Sequence, residues 1–258
     1  MAYMYSNVNL KNYMSIKNVM FDIYQTVATI DLDHEEVNKS HAWNILADFI
    51  RYKYSIEVSG SELEQKRDQQ IELFYSQIGG KDLHYEFVDI FQKVFKENWS
   101  ITLPTEESKE LVMLYRIVGR GYLQAYNEVK DLIRTIKSEG KKVYAVSYTQ
   151  RSYTVEELIE LELWDLFDGS CFSSDISKKK KHPQFYSDVL QELKLSPEET
   201  VMIGDNYNDD VLAPRKVGLN AIWLNNPVSS HKYDVPGSEK YQAKLAKAHT
   251  ILELIHSL

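Results

Sequence analysis

Short apolar stretches of this chain repeatedly end in groups that can do chemistry. "NVMFDIYQT" delivers Asp22, then Tyr24 and Thr26, and "KKVYAVSYT" delivers Ser147 and Thr149. A lysine run spans Lys178 to Lys181, and "ETVMIGDNYNDD" carries Asp205, Asp209 and Asp210. Clustered carboxylates repel one another unless a cation lies between them. Magnesium takes oxygen ligands, commonly one or two carboxylates with waters and phosphate. Asp22 and Asp205 can supply such ligands, with Asp210 in support. A phosphate oxygen would complete the shell. The remaining phosphate oxygens need donors: the Ser147 hydroxyl, a lysine ammonium and the N–H groups after Asp22. Asp22 could then attack phosphorus in line, as carboxylate nucleophiles do. The cation and the lysine would offset the developing charge.

These groups can meet only if the stretches bearing them are neighbouring strands. Five β-like runs are expected: 18–23, 141–147, 169–174, 199–205 and 219–225. All are short and largely apolar, as in a sheet covered on both faces. Helical patterns lie between the later runs. One has Val129, Leu132, Ile133 and Ile136 at helical spacing before Gly140, and another has Phe185, Val189, Leu190 and Leu193. The alternation predicts an α/β fold with a doubly wound parallel sheet. Ligands bind such sheets at the carboxyl ends of the strands, where these groups stand.

The first and second runs are separated by about 110 residues with helical patterning. That is too long for a crossover and predicts a smaller all-helical domain at residues 34–121. Residues 16–33 and 122–258 form the α/β core, and residues 1–15 a loose tail. Ser61 and Thr105 are expected as helix caps, and Phe87, Ile90, Phe91, Val94 and Phe95 as a core stripe. Arg116, Arg120 and His41 read as solvated positions, or as contacts for an anionic substrate.

The net charge of −8 argues against a nucleic-acid partner. The single cysteine, Cys171, excludes an intrachain disulfide and favours a reducing compartment. No run approaches the roughly 18 apolar residues that span a membrane. Cytoplasm is the expected location, and nothing indicates an oligomeric state.

Four motifs in order now resemble the haloacid dehalogenase superfamily, which is largely phosphatases. They are "DIYQT", "AVSYT", "KKHPQFY" and "GDNYNDD". The resemblance implies a Rossmann-like core with a helical cap between the first two motifs. It implies Asp22 as nucleophile and catalytic or phosphate-binding roles for Tyr24, Thr26, Ser147, Thr149 and Lys180. Lys180 is selected by aligning Pro183 with a family proline. The register of the fourth motif favours Asp210 over Asp209. The implied Mg²⁺ ligands are Asp22, the Tyr24 backbone carbonyl, Asp205 and Asp210. The implied partner is a small phosphorylated substrate.

Tyr24 departs from the pattern. In the phosphatases an acid stands there, protonating the leaving alkoxide and later activating water. Tyrosine, with a pKa of about 10, is no ready base at neutral pH. Three readings follow. The first is a magnesium-dependent phosphatase with altered acid–base chemistry, for which His34 and His41 are the candidates for a borrowed base. The second is a metal-independent 2-haloacid dehalogenase, whose first motif is D-x-Y-G-T. Gln25, Ser147-Tyr148 and the acids of "GDNYNDD" speak against it. The third is a weakly active or inactive module that binds a phosphorylated ligand or a protein.

Overall fold

The structure is a computed structural model, and it describes residues 16–78, 80, 83–225, 242–243 and 248–258. The chain opens with β1 (Asn18–Phe21) and the short β2 (Ala28–Ile30). Four helices follow: α1 (Leu32–Tyr54), α2 (Gly60–Ile78), α3 (Phe87–Trp99) and α4 (Thr105–Gly119). After β3 (Leu123–Ala125), helix and strand alternate: α5 (Val129–Ser138), β4 (Lys142–Ser147), α6 (Arg151–Glu160), β5 (Gly169–Phe172) and α7 (Phe185–Leu193). Next come β6 (Thr200–Gly204), a π-helical turn (Tyr207–Leu212) running into α8 (Ala213–Arg215), and β7 (Asn220–Leu224). The last elements are β8 (Gln242–Ala243) and α9 (Ala248–Ser257).

The sheet has the order β5-β4-β1-β6-β7-β8 and every pairing is parallel. β1 sits in the middle, with β4 on one side and β6 on the other. The chain winds outward through β4 and β5, then crosses to β6 and β7. Its change of direction falls beside β1, where such sheets form their binding crevice. The period of two along each strand sorts the core into two layers. Val19, Phe21, Val143, Ala145, Val201 and Ile203 pack against α5, α6 and α9. Met20, Tyr144, Val146 and Met202 pack against α7. The predicted stripes on α5 are buried, as are Phe185, Val189 and Leu190 on α7.

α1 to α4 bury a separate apolar cluster that includes Trp43, Leu46, Ile50, Phe91, Phe95 and Leu111. All five residues of the α3 stripe are buried. Three local expectations need correction. The cap of α2 is Ser59, not Ser61. Its hydroxyl accepts from the Glu62 N–H at 3.2 Å, while Glu62 accepts from the Ser59 N–H at 2.9 Å, a reciprocal capping box. Thr105 is the first residue of α4 and makes no cap, because Pro104 holds the preceding position. The helical patterning expected to run to residue 121 ends earlier: α4 stops at Gly119, and β3 begins at Leu123. Residues 1–15, the expected tail, lie outside the described residues. Among the described residues, no helix is long and apolar enough to cross a membrane.

The two chain crossings between sheet and helical layer pair as an antiparallel ribbon, β2 with β3. Gln25 braces it from the loop after β1. Its Oε1 accepts from Tyr126 Oη (2.9 Å) and Thr29 Oγ1 (3.4 Å), and its Nε2 donates to the Ile30 carbonyl (3.3 Å). The Gln25 backbone is left-handed, with φ 64°, an arrangement that costs a side-chain-bearing residue about 1–2 kcal/mol.

Candidate active site

Asp22 follows β1, and its N–H extends the ladder by donating to the Ile203 carbonyl (2.9 Å). That register places it beside the end of β6, from which Asp205 emerges. The next turn curls back and returns Asp210. Its carboxylate accepts from the Asn206 N–H at 3.0 Å. A Cβ on Gly204 would stand 2.2 Å from Asp210 Oδ2, so glycine is required for this close approach. Asp22, Asp205 and Asp210 are buried, and each offers an oxygen within 4.8 Å of the others. Lys180 comes from the loop after β5 and is 3% exposed. Its Nζ lies 2.5 Å from Asp22 Oδ1 and 2.6 Å from Asp210 Oδ1.

This arrangement separates the candidates that the sequence left close together. Lys178 pairs with Asp188 at 2.5 Å, and Lys179 lies over the Tyr75 ring. Asp210 joins the cluster, whereas Asp209 engages Asn206 through its N–H (3.0 Å) and carboxylate (3.3 Å). Ser147 ends β4 and lines the same cleft as Asp22, Lys180 and Asp205. Thr26 and Thr149 serve protein groups instead. Thr26 Oγ1 donates to Asp205 Oδ1 (3.3 Å), and Thr149 Oγ1 meets Thr154 Oγ1 (2.7 Å).

Three buried carboxylates surround one ammonium, a formal charge of −2 only when all three carboxylates are ionised. Burial pushes Asp210 above the usual carboxylate range against the pull of Lys180, and Asp22 and Asp205 add to the rise. Burial alone would lower Lys180, but Asp210 and Asp22 outweigh it and hold the ammonium well above its ordinary value. The hard oxygen donors and the excess of carboxylates over the single ammonium both fit a divalent cation such as magnesium.

The sequence pattern of the haloacid dehalogenase-like hydrolases matches residues 16–218. The chain belongs to that family. It is 26% identical over 113 residues to a glyceraldehyde 3-phosphate phosphatase of Pyrococcus furiosus, covering 44% of this chain and 47% of that protein. It is 34% identical over 113 residues to the pyrophosphatase PpaX of Bacillus thuringiensis, covering 41% and 52%. The chain thus spans about half the length of these relatives. Two solved structures share the fold. One is a phosphatase of the family from Thermococcus onnurineus (TM-score 0.56, 23% identity, covering 92% of this chain and 98% of the other). The other is a 2-haloacid dehalogenase from Pseudomonas syringae pv. Tomato DC3000 (TM-score 0.63, 17% identity, 92% and 98%).

In this family member Tyr24 lines the same cleft as Asp22, but its hydroxyl is bound to α6. Its hydroxyl donates to Glu157 Oε2 and lies 3.3 Å from Thr154 Oγ1, both on α6. Burial, then the Glu157 carboxylate, pushes the phenol well above its ordinary range. A direct proton transfer from Tyr24 to substrate is therefore not what this geometry offers. Glu157 is buried, and its Oε1 accepts from Arg116 Nε (2.8 Å) and Arg120 Nη1 (3.0 Å). Arg120 also reaches Glu160 at 2.5 Å. Arg116 and Arg120 are thus neither solvated nor turned to the cleft, because α4 uses both to dock on α6. His41 is exposed on α1, and the side chain of His34 lies outside those described.

A second junction joins helical layer and core at His84, in the loop before α3. Its Nδ1 lies 2.6 Å from Ser173 Oγ, and its N–H donates to the Ser177 carbonyl at 3.0 Å. Burial, aided by nearby Lys179, lowers the imidazole to about 4. The unfolded value is about 6.5, so the stabilising neutral state is fully retained above pH 6.5 and lost as pH falls toward 4. The expected loss between pH 7 and 4.5 is about 2–3 kcal/mol. Urea titrations at those pH values should show a smaller acid loss in His84→Asn. An equal loss in the variant would remove His84 as the source.

Proposed function

We propose that this hydrolase is a magnesium-dependent phosphatase for a small phosphorylated metabolite, with Asp22 as nucleophile and the helical layer as its cap. The observation that carries the reading is the buried set of three carboxylates gathered around one ammonium, more acids than the lysine alone can pair. Asp22, Asp205 and Asp210 would hold the cation, together with the Tyr24 carbonyl that the family resemblance implies. The cation would supply charge neutralisation at the transferring phosphoryl group.

One Asp22 oxygen forms the bond to phosphorus as the bond to the leaving oxygen breaks. Lys180 neutralises charge on the phosphoryl oxygens, and Ser147 donates a hydrogen bond to one of them. Water then cleaves the aspartyl-phosphate and restores Asp22. The Tyr24 hydroxyl, held by Glu157, contributes no proton.

The reading is tested with an activated aryl phosphate, with magnesium and with chelator. Magnesium-dependent phosphate release is expected. Release of halide from 2-chloropropionate in chelator would favour the dehalogenase reading instead. Tyr24→Asp is expected to raise hydrolysis of alkyl phosphates by about 10²-fold, the lower range for general acid–base help. An unchanged rate would show that the missing acid does not limit turnover.

A further inference from the structure

Two features of the cleft bear on the group that leaves phosphorus, given the phosphatase reading. The first is the missing proton donor. Tyr24 stands where the relatives' acid is expected, and its hydroxyl is committed to Glu157 and Thr154. Without that donor, a leaving oxygen departs most readily as a stable anion. A phenolate can do so, since its conjugate acid has a pKa of about 10. A simple alkoxide is far more basic and leaves poorly.

The second feature is Tyr148, immediately after Ser147. It lines the cleft with Asp22 and Lys180 and is 46% exposed. Its ring rests against the His84 ring, with centroids 4.9 Å apart and planes at 48°. His84 is fixed by its bonds to Ser173 and Ser177. The Tyr148 ring is therefore a supported surface, not a loose side chain. Burial, with Tyr75, Tyr153 and Asp209 nearby, pushes its phenol up to about 12, so it remains neutral. The cleft is compact, about 140 Å³, below the roughly 300–1,000 Å³ of pockets for drug-sized ligands.

We infer that the substrate is a compact aryl phosphate, the phosphate ester of a phenol, whose ring packs on Tyr148 as phosphorus is attacked by Asp22. The Asp22–phosphorus bond forms and the phosphorus–aryl oxygen bond breaks. The electron pair leaves with the oxygen, and the phenolate is protonated by solvent. Water then releases inorganic phosphate from Asp22 and yields its proton to solvent.

The test compares kcat and KM for phenyl phosphate, ethyl phosphate and acetyl phosphate, with magnesium, on the full chain and on Tyr148→Ala and Tyr148→Phe. Acetyl phosphate has a good leaving group and no ring. Phenyl phosphate should exceed ethyl phosphate in kcat/KM by at least about 10²-fold. Tyr148→Ala should raise the KM for phenyl phosphate about tenfold relative to that for acetyl phosphate, the scale of an aromatic pair. Tyr148→Phe should preserve the wild-type ratio. Equal losses on both substrates in Tyr148→Ala, or ethyl phosphate within tenfold of phenyl phosphate, overturn the inference and leave the phosphatase reading standing. If wild type hydrolyses neither acetyl nor phenyl phosphate, the phosphatase reading falls and the inference with it.

Discussion

Asp22→Asn is expected to lower phosphate-ester turnover by about 10⁴-fold or more, the scale on which loss of a nucleophile acts. The substitution keeps the shape of the side chain and removes its charge. Lys180 retains Asp210 at 2.6 Å, so the ammonium keeps a buried partner and the fold should persist. The site loses one of its three carboxylates, and cation binding weakens with it. Thermal melts with and without magnesium should therefore show stabilisation of the wild type and a much smaller shift in the variant. Loss of activity with an intact melt and a lost magnesium shift is the expected pair of results. Turnover within tenfold of wild type would remove Asp22 as the nucleophile.

Glu157→Ala should destabilise the protein by about 3–5 kcal/mol, the scale for removing one partner of a buried ion pair. Three donors lose their acceptor together: Arg116, Arg120 and the Tyr24 hydroxyl. Arg120 keeps Glu160, which is 52% exposed on its side chain and compensates only weakly. Glu157→Gln preserves an acceptor oxygen and should lose less. Urea unfolding followed by tryptophan fluorescence measures both. A loss below about 1 kcal/mol in Glu157→Ala would mean that the guanidinium groups reach water once released.

The parts of the molecule that were legible in sequence are those whose side-chain chemistry repeats with a period. The five principal strands are continuous apolar runs because both faces of the sheet are covered. The stripes on α3, α5 and α7 are apolar for the same reason. α6 escaped, and its buried face shows why. Ser152, Thr154, Glu157 and Leu158 are inside, so its core-facing pattern is mostly polar and resembles a surface. Glu157 went unseen with it. Its burial makes sense only once Arg116, Arg120 and Tyr24 are in place, and these lie 41, 37 and 133 residues away. Lys180 could be chosen from its run only by motif register, since four adjacent lysines carry the same local signal. β2, β3 and β8 have two or three residues each, too few for alternation to register. Ser59 was hidden because Ser61 lies two positions away and is an equally good cap former.

Gln25 is three residues from Asp22, and its side chain grips β2 and the residue that follows β3, on the ribbon that carries the chain to and from the helical layer. It holds the outgoing strand at Thr29 and Ile30, and the returning segment at Tyr126. A glycine would relieve the left-handed backbone but would let go of all three. The ribbon is thus braced to the same loop that carries Asp22. Strain placed on either crossing is therefore passed to that loop, and the setting of Asp22 is tied to the helices that the ribbon carries.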